Sequence, residues 1–186
     1  PRATHAKLTV NGEYLGVFVM VEQVDKEFIQ DHYTNDDGNL YKSVWPQYDE
    51  PEPYLEALKT NEELADVSDM LALDSLLAST SDDTFVGDVD GVLDLEMMAS
   101  YLAVDRATSN ADGIRGFYCY GFGVTECENA NYYWYGEPGA ETHLIPWDLD
   151  YALTEPNDDL GRSMSDNSPE ACEPVSFCEY WGQTDC

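Results

Sequence analysis

The order in which strand and helix patterns follow one another constrains the fold of this chain most. The first part carries strand patterns and one short helix, the middle carries helical periodicity, and the next part returns to strand patterns. Strands and helices that occur in separate runs, rather than in strict alternation, are typical of α+β folds. The sequence therefore predicts an α+β, two-lobed arrangement.

Residues 1–44 are interpreted as a small N-terminal lobe. The dipeptide Asn11-Gly12 is the pair preferred in a tight type I′ turn, so a β-hairpin is expected around it. After Gly16 the second strand is apolar at consecutive positions, which is typical of a strand covered on both faces. The elements predicted for this lobe are strands at 6–10, 13–21 and 39–43 and a helix at 26–33.

Residues 45–156 are interpreted as a second lobe of helices and strands, which begins with a connection rich in Pro and acidic residues. Its predicted elements are helices at 61–79 and 94–109 and strands at 117–122, 131–135 and 143–145. The run from Asp88 to Asp94 resembles part of a calcium-binding EF-hand loop. Val86 and Met97 occupy the first and last ligand positions of that loop and have no oxygen ligand to offer, so we interpret the run as a turn and a helix cap.

Residues 157–186 are expected to form an irregular, cysteine-containing tail.

Acidic side chains dominate the composition. Thirty-eight Asp and Glu stand against eight Lys and Arg, which gives a formal net charge of −30. Such a surface repels nucleic acid and anionic membranes, and it suits a salty or extracellular medium where charge is screened. The longest apolar run, Val17–Val21, is too short to cross a membrane. We therefore expect no nucleic-acid partner and no membrane span, and most of the carboxylates are expected to be solvated.

The five cysteines indicate the compartment. None of them has the CxxC spacing of a zinc site. Cys119 with Cys127, and Cys172 with Cys178, can each close a short loop, which leaves Cys186 over. Disulfides favour an oxidising compartment, so an extracellular or cell-surface location is expected.

Several residues have the chemistry that phosphoryl transfer requires: a lysine for phosphate, oxygen ligands for a metal ion, and an aspartate for the attacking hydroxyl. Lys42 lies on a predicted strand, with Glu22 as a candidate ion-pair partner. Asp112 lies in a turn after a helix, and Asp148 and Asp150 follow a short strand, where carboxylates can reach a hard cation. Each has a plainer alternative: a surface salt bridge for Lys42, an ordinary Asp-Gly turn for Asp112 and a solvated strand end for the last pair.

Taken together, these segments resemble the CotH (spore-coat protein H) kinase family over about Leu8–Leu153. The motifs that carry the resemblance follow the family's order: Val10-Asn11-Gly12-Glu13-Tyr14, Val21-Glu22-Gln23-Val24-Asp25, Gly38-Asn39-Leu40-Tyr41-Lys42, Asn110-Ala111-Asp112-Gly113, Asn131-Tyr132-Tyr133-Trp134-Tyr135 and Ile145-Pro146-Trp147-Asp148-Leu149-Asp150. The resemblance implies a minimal, atypical protein-kinase-like fold whose N-terminal portion is truncated in this sequence. It also implies binding of ATP with Mg²⁺ (or Mn²⁺) and phosphorylation of Ser on a secreted or coat protein.

The resemblance also implies roles for individual residues. By position, Lys42 contacts the nucleotide phosphates with support from Glu22, and Asp112 is the catalytic aspartate. Asn131 is a metal or phosphate ligand, although its alternative role is to pair with backbone groups. Asp148 is the principal Mg²⁺ ligand.

Two readings without catalysis remain open. The first is a non-catalytic surface module, such as a pseudokinase-like adhesin or structural domain, although such a module need not keep Lys42, Asp112 and Asp148 together. The second is a carbohydrate-binding domain, in which the Tyr and Trp side chains stack on sugars. Their scatter within predicted strands favours core packing instead.

Overall fold

The computed structural model describes residues 1–108, 110, 112–114, 117–119 and 127–153, with the backbone alone at 117–119 and 127–128. The elements within these ranges are β1 (Ala3–Val10), β2 (Glu13–Val21), α1 (Lys26–His32), β3 (Asn39–Lys42), α2 (Glu52–Ala57), α3 (Ser68–Ser79), α4 (Phe85–Val89), α5 (Leu95–Ala107), β4 (Phe117–Cys119), β5 (Cys127–Asn129), β6 (Tyr132–Gly136) and β7 (Thr142–Pro146). The tail expected at 157–186, with Cys172, Cys178 and Cys186, lies outside the described residues. Mixed helices and small antiparallel sheets confirm the α+β class.

The N-terminal hairpin forms as predicted, but its surroundings differ from the expectation. β1 and β2 pair antiparallel around Asn11 and Gly12, whose φ angles are +52° and +87°. The expectation that the second strand is covered on both faces is wrong, because the side chains of Val17–Val21 are 48–62% exposed. The physical reason is that β2 contributes no residue to either hydrophobic core cluster of the described residues, so neither core covers its faces.

A three-stranded antiparallel sheet, in the order β3–β6–β7, forms the centre of the molecule. Consecutive residues of β6 point to opposite faces, and all four aromatic residues of Tyr132–Tyr135 are at most 3% exposed, so both faces are covered. Tyr132 and Trp134 belong to the core that includes α2 and α3, whereas Tyr133 and Tyr135 pack with α1. These aromatic side chains therefore serve core packing.

The central sheet includes strands from both sides of the lobe boundary expected at residue 44. β3 precedes that boundary, and it pairs with β6, which follows it.

Of the helix starts predicted from the sequence, one is wrong and one is confirmed. α3 begins at Ser68, so the helix expected from residue 61 is too long at its start. Asn61 and Ala65 have φ angles of +57° and +49°, which a right-handed helix cannot include. The predicted cap of α5 is confirmed, because the Asp94 carboxylate accepts from the Met97 N–H at 2.9 Å. Within the described ranges, no helix is both long and apolar enough to span a membrane.

Candidate active site

One end of the β3–β6–β7 sheet collects most of the residues predicted for the site. Lys42 is the last residue of β3, and Asn131 immediately precedes its antiparallel neighbour β6. Trp147 immediately follows β7, and its N–H donates to the Asn131 carbonyl oxygen at 3.0 Å. Asp148 is the next residue. Three separate segments of the sequence thus bring Lys42, Asn131 and Asp148 to the same end of one sheet.

Lys42 presents an exposed ammonium group beside the sheet. Its Nζ atom lies 5.7 Å from the centroid of the Tyr133 ring, which is within range of a cation–π contact. The plainer alternative, a surface salt bridge, is not what the geometry shows: within the part of the chain that the structure describes, Lys42 makes no ion pair. Its charge is therefore available to an anion.

Glu22 is engaged elsewhere than expected. Its carboxylate accepts hydrogen bonds from Nε of Arg2 at 2.9 Å and from Nε2 of His32 at 3.2 Å. The hydrogen bond from Arg2 is the main cause that lowers the pKa of Glu22 to about 2. Glu22 thus closes the open end of the hairpin against α1, and its support of Lys42 stays a prediction.

Asp25 is a carboxylate whose charge acts on Tyr133, the aromatic residue beside Lys42. It caps α1 by accepting from the Phe28 N–H at 3.1 Å. Burial, and secondly the charge of Asp25, raise the pKa of Tyr133, the residue that lies under the Lys42 ammonium. Asp25 immediately precedes the predicted helix at 26–33, but a sequence pattern does not show that its charge acts on Tyr133 of β6.

Asp112 and Asn131 are joined directly. The Asn131 amide nitrogen donates to the backbone carbonyl oxygen of Asp112 at 2.8 Å, as the backbone-pairing alternative predicted. Asn131 has a φ angle of +63°, a left-handed conformation that asparagine tolerates better than most residues. Since the contact uses the amide nitrogen, the amide oxygen remains as a possible ligand atom.

The carboxylates of the site influence one another. Burial is the largest cause that raises the pKa of Asp112, the polar side chain of Asn131 near its carboxylate opposes the rise, and the charges of Asp148 and Asp150 add to it. Asp148 and Asp150 are exposed, and Asp148 has a φ angle of +48°. All three predicted aspartates therefore lie within electrostatic reach of each other, at the sheet end that holds Lys42.

A cavity of about 270 Å³ opens beside Lys42. Its walls include Trp45, Tyr48, Glu56 and Asn129, so aromatic faces and a few polar groups line it together. Asn129 is buried and donates to a backbone carbonyl oxygen at 2.6 Å, which fixes its side chain. Neither Asn129 nor the cavity was singled out from the sequence, because their residues come from distant segments.

A free lysine, a half-buried aspartate and exposed carboxylates at one sheet end are the kinds of side chain that kinases use. Over residues 1–182, the sequence matches the family described as CotH kinase protein. The chain belongs to this CotH kinase family, as the order of its motifs indicated. Among curated proteins, none matches the sequence.

The family implies a divalent metal ion, and the donor set of this site fits one. Within the described residues, no group of three or more His, Cys, Asp or Glu side chains is arranged to hold a metal on its own. Mg²⁺ is usually held by one or two carboxylates together with substrate phosphates and water, so such a group is not required. The repulsion that raises the pKa of Asp112 is the kind that a cation near Asp148 and Asp150 relieves.

Proposed function

We propose that this chain is an extracytoplasmic, Mg²⁺-dependent protein kinase that transfers the γ-phosphoryl group of ATP to a Ser hydroxyl of a secreted or surface protein. One observation carries the proposal: Lys42, Asp112, Asn131 and Asp148 meet at one end of the central sheet. Phosphoryl transfer needs little beyond such positioning and electrostatic stabilisation. Family membership supports the same class of reaction.

Each residue has a definite role in this proposal. Lys42, which makes no ion pair within the described residues, binds phosphate oxygens. Asp148, with Asp150 and the amide oxygen of Asn131, would hold Mg²⁺ (or Mn²⁺), which neutralises phosphate charge when it is bound. Asp112 is the catalytic base, and burial, the largest cause that raises its pKa, makes it a better proton acceptor than an ordinary surface aspartate.

The transfer step follows from these roles. The Ser oxygen attacks the γ-phosphorus, and a new P–O bond forms while the bond from that phosphorus to the β–γ bridging oxygen breaks. ADP leaves with the electron pair of the broken bond, and the Ser proton passes to the Asp112 carboxylate. The cavity lined by Trp45 and Tyr48 supplies aromatic surface for the nucleobase beside the lysine.

The extracellular part of the proposal has support in the register of β4 and β5. Cys119 and Cys127 are opposite residues of this antiparallel pair. Opposite Cα atoms in such a pair lie about 4.5–5.5 Å apart, within the roughly 4.4–6.8 Å that a disulfide spans. The backbone is thus compatible with the bridge that an oxidising compartment favours.

Calorimetric titration with ATP, in the presence of Mg²⁺ or Mn²⁺, tests the nucleotide site. We expect metal-dependent binding by the unaltered chain and its loss in Asp148→Ala, with the thermal unfolding temperature retained. Asp83→Ala is the matched control, because Asp83 is exposed and lies in a turn outside the site. Equal binding by both variants would contradict the metal role of Asp148. No binding by the unaltered chain would favour a non-catalytic surface module.

A further inference from the structure

Asp105 is a buried carboxylate that the proposed reaction does not use. It lies in the last turn of α5 and is 1% exposed. Burying a charged or polar group is unfavourable unless hydrogen bonds satisfy it. The Asp105 carboxylate accepts from the amide nitrogen of Asn110 at 2.9 Å, and the Asp105 backbone carbonyl accepts from the Asn110 N–H at 3.1 Å. The two side chains thus form one buried unit, which we term the Asp105–Asn110 clamp.

The clamp is connected to the site by a continuous series of hydrogen bonds. The amide oxygen of Asn110 accepts from the backbone N–H of Asp112 at 3.4 Å. The backbone carbonyl oxygen of Asp112 accepts from Asn131 at 2.8 Å, and the Asn131 carbonyl accepts from the Trp147 N–H at 3.0 Å. The backbone of Asp112 is therefore held on both sides, by Asn110 before it and by Asn131, which immediately precedes β6.

Gly113 shows how closely the turn packs on the clamp. A Cβ atom on this residue would lie 2.3 Å from Oδ1 of Asp105 and 2.7 Å from the Asn110 amide nitrogen. Contacts this short force atoms to move, so only glycine fits here while the clamp keeps its place. The turn that carries Asp112 therefore rests directly on the clamp.

We propose that the Asp105–Asn110 clamp positions the catalytic aspartate, Asp112, for phosphoryl transfer. This inference rests on the proposed function. Asp105 and Asn110 act through the backbone of Asp112, so they are positioning residues and not catalytic ones. Lys42 and Asp148 are held by other segments, and loss of the clamp should therefore slow the transfer step without weakening nucleotide binding.

Steady-state kinetics with the unaltered chain and Asn110→Ala test the proposal. We expect kcat to fall about 10- to 100-fold, the scale seen when reacting groups are misplaced by about 1 Å, while KM for ATP stays within about twofold, since Lys42 is untouched. Asn39→Ala is the control for general loss of hydrogen bonds, because Asn39 donates to Tyr41 and Asp66 at the opposite end of β3 from Lys42.

Two results would contradict the proposed positioning role of the clamp. One is an unchanged kcat in Asn110→Ala, and the other is a loss of ATP affinity that parallels the loss of kcat. Hydrogen exchange of peptides covering Asp112–Ile114 supplies a readout that needs no activity. We expect faster exchange there in Asn110→Ala and the unaltered rate in Asn39→Ala. If the unaltered chain transfers no phosphate, the proposed function fails, while faster exchange in Asn110→Ala still supports the clamp as a device that orders this turn.

Discussion

Replacing Lys42 by methionine should weaken ATP binding while leaving the stability of the fold nearly unchanged. A charge-assisted hydrogen bond contributes about 1.5–3 kcal/mol, and about 1.4 kcal/mol corresponds to a tenfold change in affinity. ATP affinity should therefore fall about 10- to 150-fold. In the folded protein, the Lys42 ammonium lies over the Tyr133 ring, 5.7 Å from its centroid. An exposed contact of this kind is worth about 0.5–1 kcal/mol, so the free energy of unfolding should change by no more than that.

The assay combines calorimetric titration with Mg²⁺ and ATP and thermal unfolding of the same samples. Lys7→Met is the matched control, because Lys7 is an exposed lysine of the hairpin and its loss makes the same change in net charge. We expect Lys7→Met to bind ATP like the unaltered chain. Equal affinity in Lys42→Met and Lys7→Met would refute the phosphate role of Lys42. A loss of binding that accompanies unfolding would show a structural role instead.

Three further predictions concern other parts of the molecule. Asp150→Asn should lower the pKa of Asp112, because the substitution removes one of the negative charges that raise this pKa. An NMR titration of the Asp112 carboxyl carbon measures the shift, and an unchanged pKa would contradict the prediction. Ile29→Ala should lower the free energy of unfolding by about 2–5 kcal/mol in urea denaturation, since truncating a fully buried side chain leaves a cavity. Peptide mapping without reductant should find Cys119 linked to Cys127, whereas free thiols would contradict the oxidising compartment.

The sequence predicted those parts of the fold whose cause is local. Asn11-Gly12 fixes the hairpin turn and Asp94 caps α5, because each acts through its own backbone neighbours. The exposure of Val17–Val21 could not be read in this way, since consecutive apolar residues do not show whether anything covers them. The pairing of β3 with β6 joins residues more than ninety positions apart, from Lys42 with Tyr133 to Asn39 with Gly136, which no local pattern encodes. The two-lobed division stays a prediction.

The site was predicted as a set of residues but not as a set of contacts. Lys42 lies at the end of a strand and Asp112 in a turn, where local patterns favour exposed functional groups. The partner of Glu22 was not predictable, because its contact with Arg2 depends on how the hairpin ends meet α1. The close packing of Gly113 against the Asp105–Asn110 clamp, which leaves no room for a Cβ atom, depends on how the turn folds back onto α5, and no sequence pattern encodes that.

The acid excess and the proposed phosphate chemistry are compatible for an electrostatic reason. A chain with a net charge of −30 repels a free nucleotide at long range. Two other cations are already committed: Arg2 pairs with Glu22, and Lys26 lies 3.2 Å from Asp36. Lys42 alone offsets little of that repulsion. On the proposed function, the carboxylates around Asp112 attract the divalent cation, and the nucleotide binds as a metal complex whose negative charge is reduced, so the acidic surface opposes its approach far less.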